Sequence, residues 1–354
     1  MALLSLTSIL YPQDKPAPKI SGYMFGDYFY NVARDTGISS LSNVATGGKK
    51  DLNGFQFRRI YLTFDGDISP VLTSRFRIEG TTGAPFIKDA YIKWKKIFNG
   101  TDLIFGLQPM PAVEISESIW KYRSLEKTIL DLQGIVSSRD LSVGLKGRLN
   151  EQGTADYWVA YGNNSGTGAE TDKYKRVYAS VSLKPSEKMI VALYGDYKMN
   201  SNINDPASTT IPKATIANNT LLGTLLFGYS EEHLFDVGFI GFYQTQANGY
   251  ITPAPAITVK DKNGMGLSLF GTYFISENIN LVGRYDYYDP NSDSNAKGDS
   301  RNYFLAGTDF KVDKNFSIIP NFQLETYEGI PTLSGNRSVD ASITARITLF
   351  YTFL

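Results

Sequence analysis

The chain has no cysteine and one histidine, and across its 354 residues 35 basic side chains are matched by 35 acidic ones. Without cysteine there is no disulfide, no thiol nucleophile, no thiolate zinc site and no iron–sulfur cluster. One histidine removes any multi-histidine metal centre, and no spacing suggests another metal or a cofactor. A formal charge of zero lacks the cationic excess that general phosphate-backbone binding needs, so nucleic acid is not an expected partner. No apolar run approaches the roughly 18 residues of a membrane helix. A membrane β-barrel escapes that test, because its strands are polar at alternate positions. What is abundant fits a barrel better than a cytosolic enzyme: 23 Tyr, 21 Phe and 32 Gly.

Residues 1–19 read as a signal remnant or periplasmic lead-in. Met1 to Tyr11 is apolar like an export signal, without a basic start or a small-residue cleavage site, and 12–19 are proline-rich. Residues 20–354 read as one domain. From Ile20 the chain repeats about ten residues of alternating polarity followed by a turn. Leu141, Val143, Leu145 and Leu149 share one face, and Ser142, Lys146 and Arg148 the other. A strand sorts residues this way and a helix scatters them.

Sixteen such runs are expected, at 20–31, 54–67, 72–82, 88–96, 101–108, 138–149, 154–163, 174–184, 189–199, 218–229, 234–245, 264–275, 279–288, 301–312, 316–327 and 338–353. Only 115–132 lacks the alternation, and it could form one or two short helices. The connections alternate strictly. Every second one is a tight turn, such as 150–153 or 185–188. The others are long, at 32–53, 109–137, 164–173, 200–217, 246–263, 289–300 and 328–337, with 83–87 the short exception. That is the pattern of an up-and-down antiparallel barrel with two different ends. The fold class is therefore an all-β, sixteen-stranded transmembrane barrel with short periplasmic turns and long extracellular loops.

Sixteen strands enclose a space too wide for side chains to fill, so the charged face belongs to a wet interior and the Leu/Val/Phe/Tyr face to lipid. Tyr23, Tyr157, Tyr161, Tyr194, Tyr229, Tyr273, Tyr285, Tyr287, Phe310, Tyr351 and Phe353 suit the aromatic girdles at the two interfaces.

Several stretches resemble one family. Residues 54–79, GFQFRRIYLTFDGDISPVLTSRFRIE, are similar to the second and third strands of the phosphate-selective porin O and P family, with an Arg-Arg pair, a Gly before the turn and a second basic strand. IKDAYIKW (87–94) and DLIFGLQPMP (102–111) match the next hairpin, and YFLAGTDFKVDKNFSIIPNFQLE (303–325) resembles a late strand pair. The resemblance implies a homotrimeric porin in the outer membrane of a Gram-negative-type bacterium, with its third extracellular loop folded into the lumen and a preference for anions.

A porin selects by width and by the electrostatic profile at its narrowest point. The candidate constriction is 109–137. Ile119, Trp120, Leu125, Ile129, Leu130 and Leu132 could anchor it to the inner wall, leaving Glu114, Glu117, Lys121, Arg123, Glu126, Lys127 and Asp131 to the lumen. On the wall, parity turns Arg75, Arg77, Lys93, Lys95, Lys146, Arg148, Arg176, Lys184, Lys198, Arg284, Lys311 and Arg346 inward. Arg58 and Arg59 are consecutive, so only one is expected inside, and Arg59 is chosen. The same parity brings in Asp65, Glu79, Asp89, Asp140, Asp156, Asp196, Asp236, Asp286, Asp309 and Glu325. The cationic excess is small, and cross-strand pairing accounts for much of it. Modest anion preference is expected, centred on Arg75, Arg77, Lys93 and Lys95.

The function expected is passive diffusion of small hydrophilic solutes and anions, with phosphate the anion the resemblance implies, through a barrel whose other partner is outer-membrane lipid. Three alternatives compete. An outer-membrane hydrolase needs a histidine near a nucleophile, but His233 lies in a tight turn at the opposite end from the long loops, so no enzyme is expected. A soluble all-β binding protein would bury the Leu/Val face in a core. A loop-plugged barrel would serve a structural or tethering role. The acidic stretch 289–299 reads as a solvated loop in preference to a weak calcium site.

Overall fold

The computed structural model describes residues 17–35, 49–252, 258–293, 296, 299–332 and 335–353. The lead-in expected at 1–19 lies outside the described residues up to position 16, and part of 289–299 does also.

Strand order follows the chain. The first group is β1 (Lys19–Ala33), β2 (Asn53–Ser69), β3 (Leu72–Gly80), β4 (Phe86–Phe98) and β5 (Thr101–Pro109). Two helices follow, α1 (Pro111–Trp120) and α2 (Ile129–Leu132). Next come β6 (Arg139–Arg148), β7 (Ala155–Gly162), β8 (Arg176–Ser186) and β9 (Met189–Lys198), then the short β10 (Ile203–Asn204) and β11 (Thr215–Ile216). The second half holds β12 (Thr220–Glu231), β13 (Phe235–Ile251), β14 (Val259–Ser276), β15 (Ile279–Asp289), β16 (Arg301–Asp313) and β17 (Phe316–Tyr327). It ends with β18 (Ile330–Thr332), β19 (Gly335–Arg337) and β20 (Ser342–Phe353). β10 pairs with β11 and β18 with β19, as small hairpins inside two long connections. The remaining sixteen strands close into one antiparallel barrel, sealed by β20 against β1.

The expected strands are all present with ends shifted by a few residues, and two run well beyond their expected bounds. β13 and β14 run on past 245 and begin before 264, pairing Tyr250 with Lys260. Their extensions carry polar residues on both faces (Gln246, Asn248, Asp261, Lys262), so the alternation that marks a half-apolar strand is absent there. The helical segment resolves into two helices. α1 starts on Pro111, where a missing N–H costs nothing, and ends at Lys121 in the left-handed conformation.

The barrel wears its apolar face outside. Phe105, Leu193, Leu221, Leu269, Tyr273 and Ile347 are exposed, whereas Asp89, Asp140, Ser268 and Thr348 are buried. This overturns the soluble binding-protein alternative, which needs the reverse. Nine of the eleven girdle aromatics have outward parity. Tyr23 and Tyr194 do not: Tyr194 donates its hydroxyl to Asp196 at 2.6 Å, and Tyr23 packs edge-on to buried Tyr61 at 4.9 Å. Each shares parity with inward charged groups, which overrides nearness to a strand end.

The interior is not uniformly polar either. Tyr178, Leu222, Leu226, Ile240, Phe242, Phe270, Leu305 and Ile319 point inward from β8 to β17 and form one buried cluster with residues of the 110–136 segment. The wall from β1 to β7 keeps the charged interior that alternation implies. The inside thus carries an apolar seat on one side, with charged pairs such as Arg176–Asp196 and Arg284–Asp286 set into it, and a charged wall on the other.

Candidate functional site

The segment after β5 leaves the wall at Pro109, and α1 packs on β8, β9, β12 and β13 while α2 packs on β14. Ile119 seats where two glycines clear the wall. A Cβ on Gly228 would lie 2.9 Å from its Cγ2, and one on Gly238 would lie 2.7 Å from the same atom and 2.2 Å from Phe270. Trp120 stands edge-on to Phe270 at 5.1 Å and donates its indole N–H to the Glu126 carbonyl at 2.8 Å. Of the six expected anchors, Ile119, Trp120, Leu125, Ile129 and Leu130 are buried, and Leu132 is half-buried.

The turn between the helices is held by arginines from distant strands. Arg58 donates to the carbonyls of Ser124 (2.7 Å) and Leu125 (3.1 Å), Arg346 donates to Leu125 (3.3 Å), and Arg284 donates to the Lys127 carbonyl. Glu126 lies fully buried among them, 4.0 Å from both Arg58 and Arg346. Burial opposes its charge, but those two guanidiniums hold its carboxyl below the usual range. Further along, Tyr122 donates to Asp309 at 3.0 Å, Lys121 pairs with Asp236 at 2.8 Å, and Arg176 donates to the Ile135 carbonyl at 3.1 Å.

Glu126 is therefore an anchor. It does not face open space, because its aliphatic neighbours and three arginines enclose it. Glu114, Glu117, Lys121 and Lys127 retain exposed surface, and Arg123 bridges Glu117 (3.0 Å) and Asp131 (3.6 Å). Glu114 meets Lys146 of β6 at 2.8 Å.

Most expected wall residues are inward and paired. Arg59 meets Glu79 (2.7 Å), Arg75 clasps Asp65 through two bonds (2.7 and 2.9 Å), and Arg77 meets Asp89 (3.1 Å). Lys95 meets Asp67 (3.2 Å), and Arg176 and Arg284 clasp Asp196 and Asp286. Lys93 and Arg148 line a cavity of about 400 Å³ with Arg75, Tyr91, Glu114 and Lys146, and form no ion pair among the described residues. A neighbouring cavity of about 330 Å³ shares Arg75, Tyr91 and Lys93. Arg176, Arg284 and Arg346 are buried, bond carbonyls of the 110–136 segment and stand away from these two cavities.

Two pairs of consecutive residues turn inward together. Arg58 and Arg59 both face in, because the β1–β2 register slips between Phe25 and Gly26 and a bulge places one extra residue on that face. Lys88 and Asp89 do the same where the β3–β4 register shifts, and Lys88 reaches Glu79 at 3.0 Å. The parity argument also passed over Asp27, which faces Arg58 at 3.4 Å, and Arg139, which bonds Asp89. The local sequence gives no common signal, since Arg58–Arg59 are like charges and Lys88–Asp89 opposite ones. His233 lies exposed in its turn with a left-handed backbone, 3.3 Å from Glu232. No cluster of three metal-type ligands occurs among the described residues.

No protein-family model matches the chain, and no curated protein matches it in sequence. Solved structures do resemble it. The outer membrane channel DcaP of Acinetobacter baumannii aligns with TM-score 0.67 at 12% identity, over 95% of this chain and 97% of its own. An anion-selective porin from Comamonas acidovorans aligns at 0.64 and 10%, over 95% and 99%. OmpT of Vibrio cholerae, an outer membrane protein in its trimer form, aligns at 0.60 and 10%, over 96% and 100%. At such identities the likeness is one of fold. The architecture is that of a porin-like barrel.

Proposed function

We propose that the protein is a passive outer-membrane channel for small hydrophilic solutes, without enzymatic activity, whose passage runs between the polar face of the 110–136 segment and the wall of β1 to β7. One observation carries this reading. The segment lays its apolar side on β8 to β14 and turns Glu114, Glu117 and Arg123 toward a wall bearing Arg59, Arg75, Arg77, Lys93 and Lys146. A wide barrel narrowed on one side by a fixed segment is the geometry of size selection, and opposed charges across the gap set ion preference.

Modest anion preference follows from the supply of unpaired charge. Among the described residues Lys93 and Arg148 form no ion pair, while nearly every inward carboxylate is already engaged. Phosphate is the anion suggested by the resemblance in 54–79. The extensive pairing favours weak selection among anions over a dedicated phosphate ladder. A homotrimer is supported by the trimer form of the Vibrio cholerae neighbour.

Single-channel recording from purified protein in a planar bilayer tests the reading. Stepwise conductance, in groups of three for a trimer, is expected. A protein that inserts and stays silent would overturn it in favour of a plugged, structural barrel.

A further inference from the structure

Opposite in character to the basic cavities is one of about 490 Å³ at the long-loop end. It is bounded by the exit of the 110–136 segment, the connections near 164–174 and 199–218, and β12 and β13. Its volume lies within the roughly 300–1,000 Å³ of small-molecule sites. The strand residues that line it have inward parity, so it opens to the lumen and not to lipid.

Its lining is dominated by neutral hydrogen-bonding groups: Asn164, Asn218, Thr220, Gln244 and Gln246, with Tyr174 beside them. Several are already fixed in place. Gln246 donates to Asn218 Oδ1 at 2.9 Å, Asn200 donates to Thr220 at 3.2 Å, and Asn164 accepts from Arg176 at 3.4 Å. Gln244 forms no side-chain hydrogen bond among the described residues, leaving one acceptor and two donors for an occupant. Charge is balanced. Arg176 is spent on Asp196 and the Ile135 carbonyl, and Asp172 and Lys198 contribute one charge of each sign.

Side-chain amides offering donor and acceptor together match a molecule whose every hydroxyl both gives and accepts. An inorganic anion would find no net charge here. We propose that this cavity is an entry subsite for neutral polyhydroxylated solutes of about disaccharide size. The proposal rests on the channel reading only for access from outside. Binding should be weak, since a passage must release what it holds.

Isothermal titration of the detergent-purified protein with maltose tests it. The expected result is a dissociation constant on the order of millimolar, unchanged between low and high salt because the ligand is uncharged. Gln244→Leu with Gln246→Leu should weaken it about fivefold or more, by loss of two amides. Thr220→Val is the milder companion in case the double variant folds poorly, and should also weaken binding. Absence of maltose binding overturns the proposal, as does binding that neither variant changes, or that phosphate displaces. Conductance steps from the same preparation report on the channel independently, so a conducting protein that ignores maltose loses the subsite alone.

Discussion

Arg58 on β2 donates to the Ser124 carbonyl at 2.7 Å, joining residues 66 positions apart. The same side chain lies 3.4 Å from Asp27 and 4.0 Å from Glu126, so one guanidinium serves the wall and the inward turn together. Removing it takes a cationic partner from two buried carboxylates, Asp27 and Glu126. Arg58→Ala should cost about 3–5 kcal/mol of local stability. Limited trypsin digestion is the measurement: cleavage at Lys121, Arg123 or Lys127 should appear in the variant and be slow in the wild type. Equal resistance would show that the turn is held without Arg58.

Gly238 leaves the space that Ile119 fills. Gly238→Val should push Ile119 and Phe270 apart and cost about 1–3 kcal/mol by overpacking. Ile119→Ala in the same chain should recover part of that loss. A thermal-melt double-mutant cycle reads the coupling, and additive losses would place the strain elsewhere.

Lys146 and Glu114 meet at 2.8 Å between wall and helix, each more than two-fifths exposed. An exposed pair contributes little stability, about 0–1 kcal/mol. Lys146→Ala should leave the melting temperature nearly unchanged and raise single-channel conductance. A fall in conductance would place the passage on another route.

Selectivity should follow the basic wall. Arg75→Glu with Arg77→Glu reverses two charges beside Lys93, and the zero-current potential in a salt gradient should move toward cations. An unmoved potential would mean that ions do not pass that wall.

Two loop carboxyls respond oppositely to acid. Asp299, between β15 and β16, is pushed up to about 6 by burial and by Asp289. An acid raised in the folded state binds its proton more tightly there, so falling pH through about 6 should stabilise this loop. Glu126 is held low, so its contribution persists above the ordinary carboxylate range and is lost only on stronger acidification. Hydrogen exchange in 289–300 should slow between pH 7.5 and 5 once intrinsic rates are corrected. Asp299→Asn should abolish the change.

Much of this was legible in the sequence, for a reason that individual residues show. Leu141, Val143 and Leu145 alternate with Ser142 and Lys146 because lipid lies on one side and water on the other, so strand number and connection lengths follow. Residues 109–137 stood out because the alternation stops there and apolar side chains continue. Parity failed where its assumption of unbroken pairing failed. Arg58 and Lys88 lie at register shifts that depend on the neighbouring strand, and nothing local marks them. It also failed where a second apolar environment exists. Leu222 and Leu226 face inward, and only the docked segment tells them apart from Leu221 and Leu225, which face out.

The arginine-held turn also bears on how the molecule is assembled. Its carbonyls are gripped from β2, near the start of the chain, and from β20, its last strand, which also seals the barrel against β1. The turn therefore cannot complete its contacts until the final strand has arrived, so its docking reports that the ring has closed. An intermediate lacking β20 would keep that segment loose and open to proteases in the periplasm. The lock inside the barrel would thus double as an inspection step, separating finished molecules from unfinished ones.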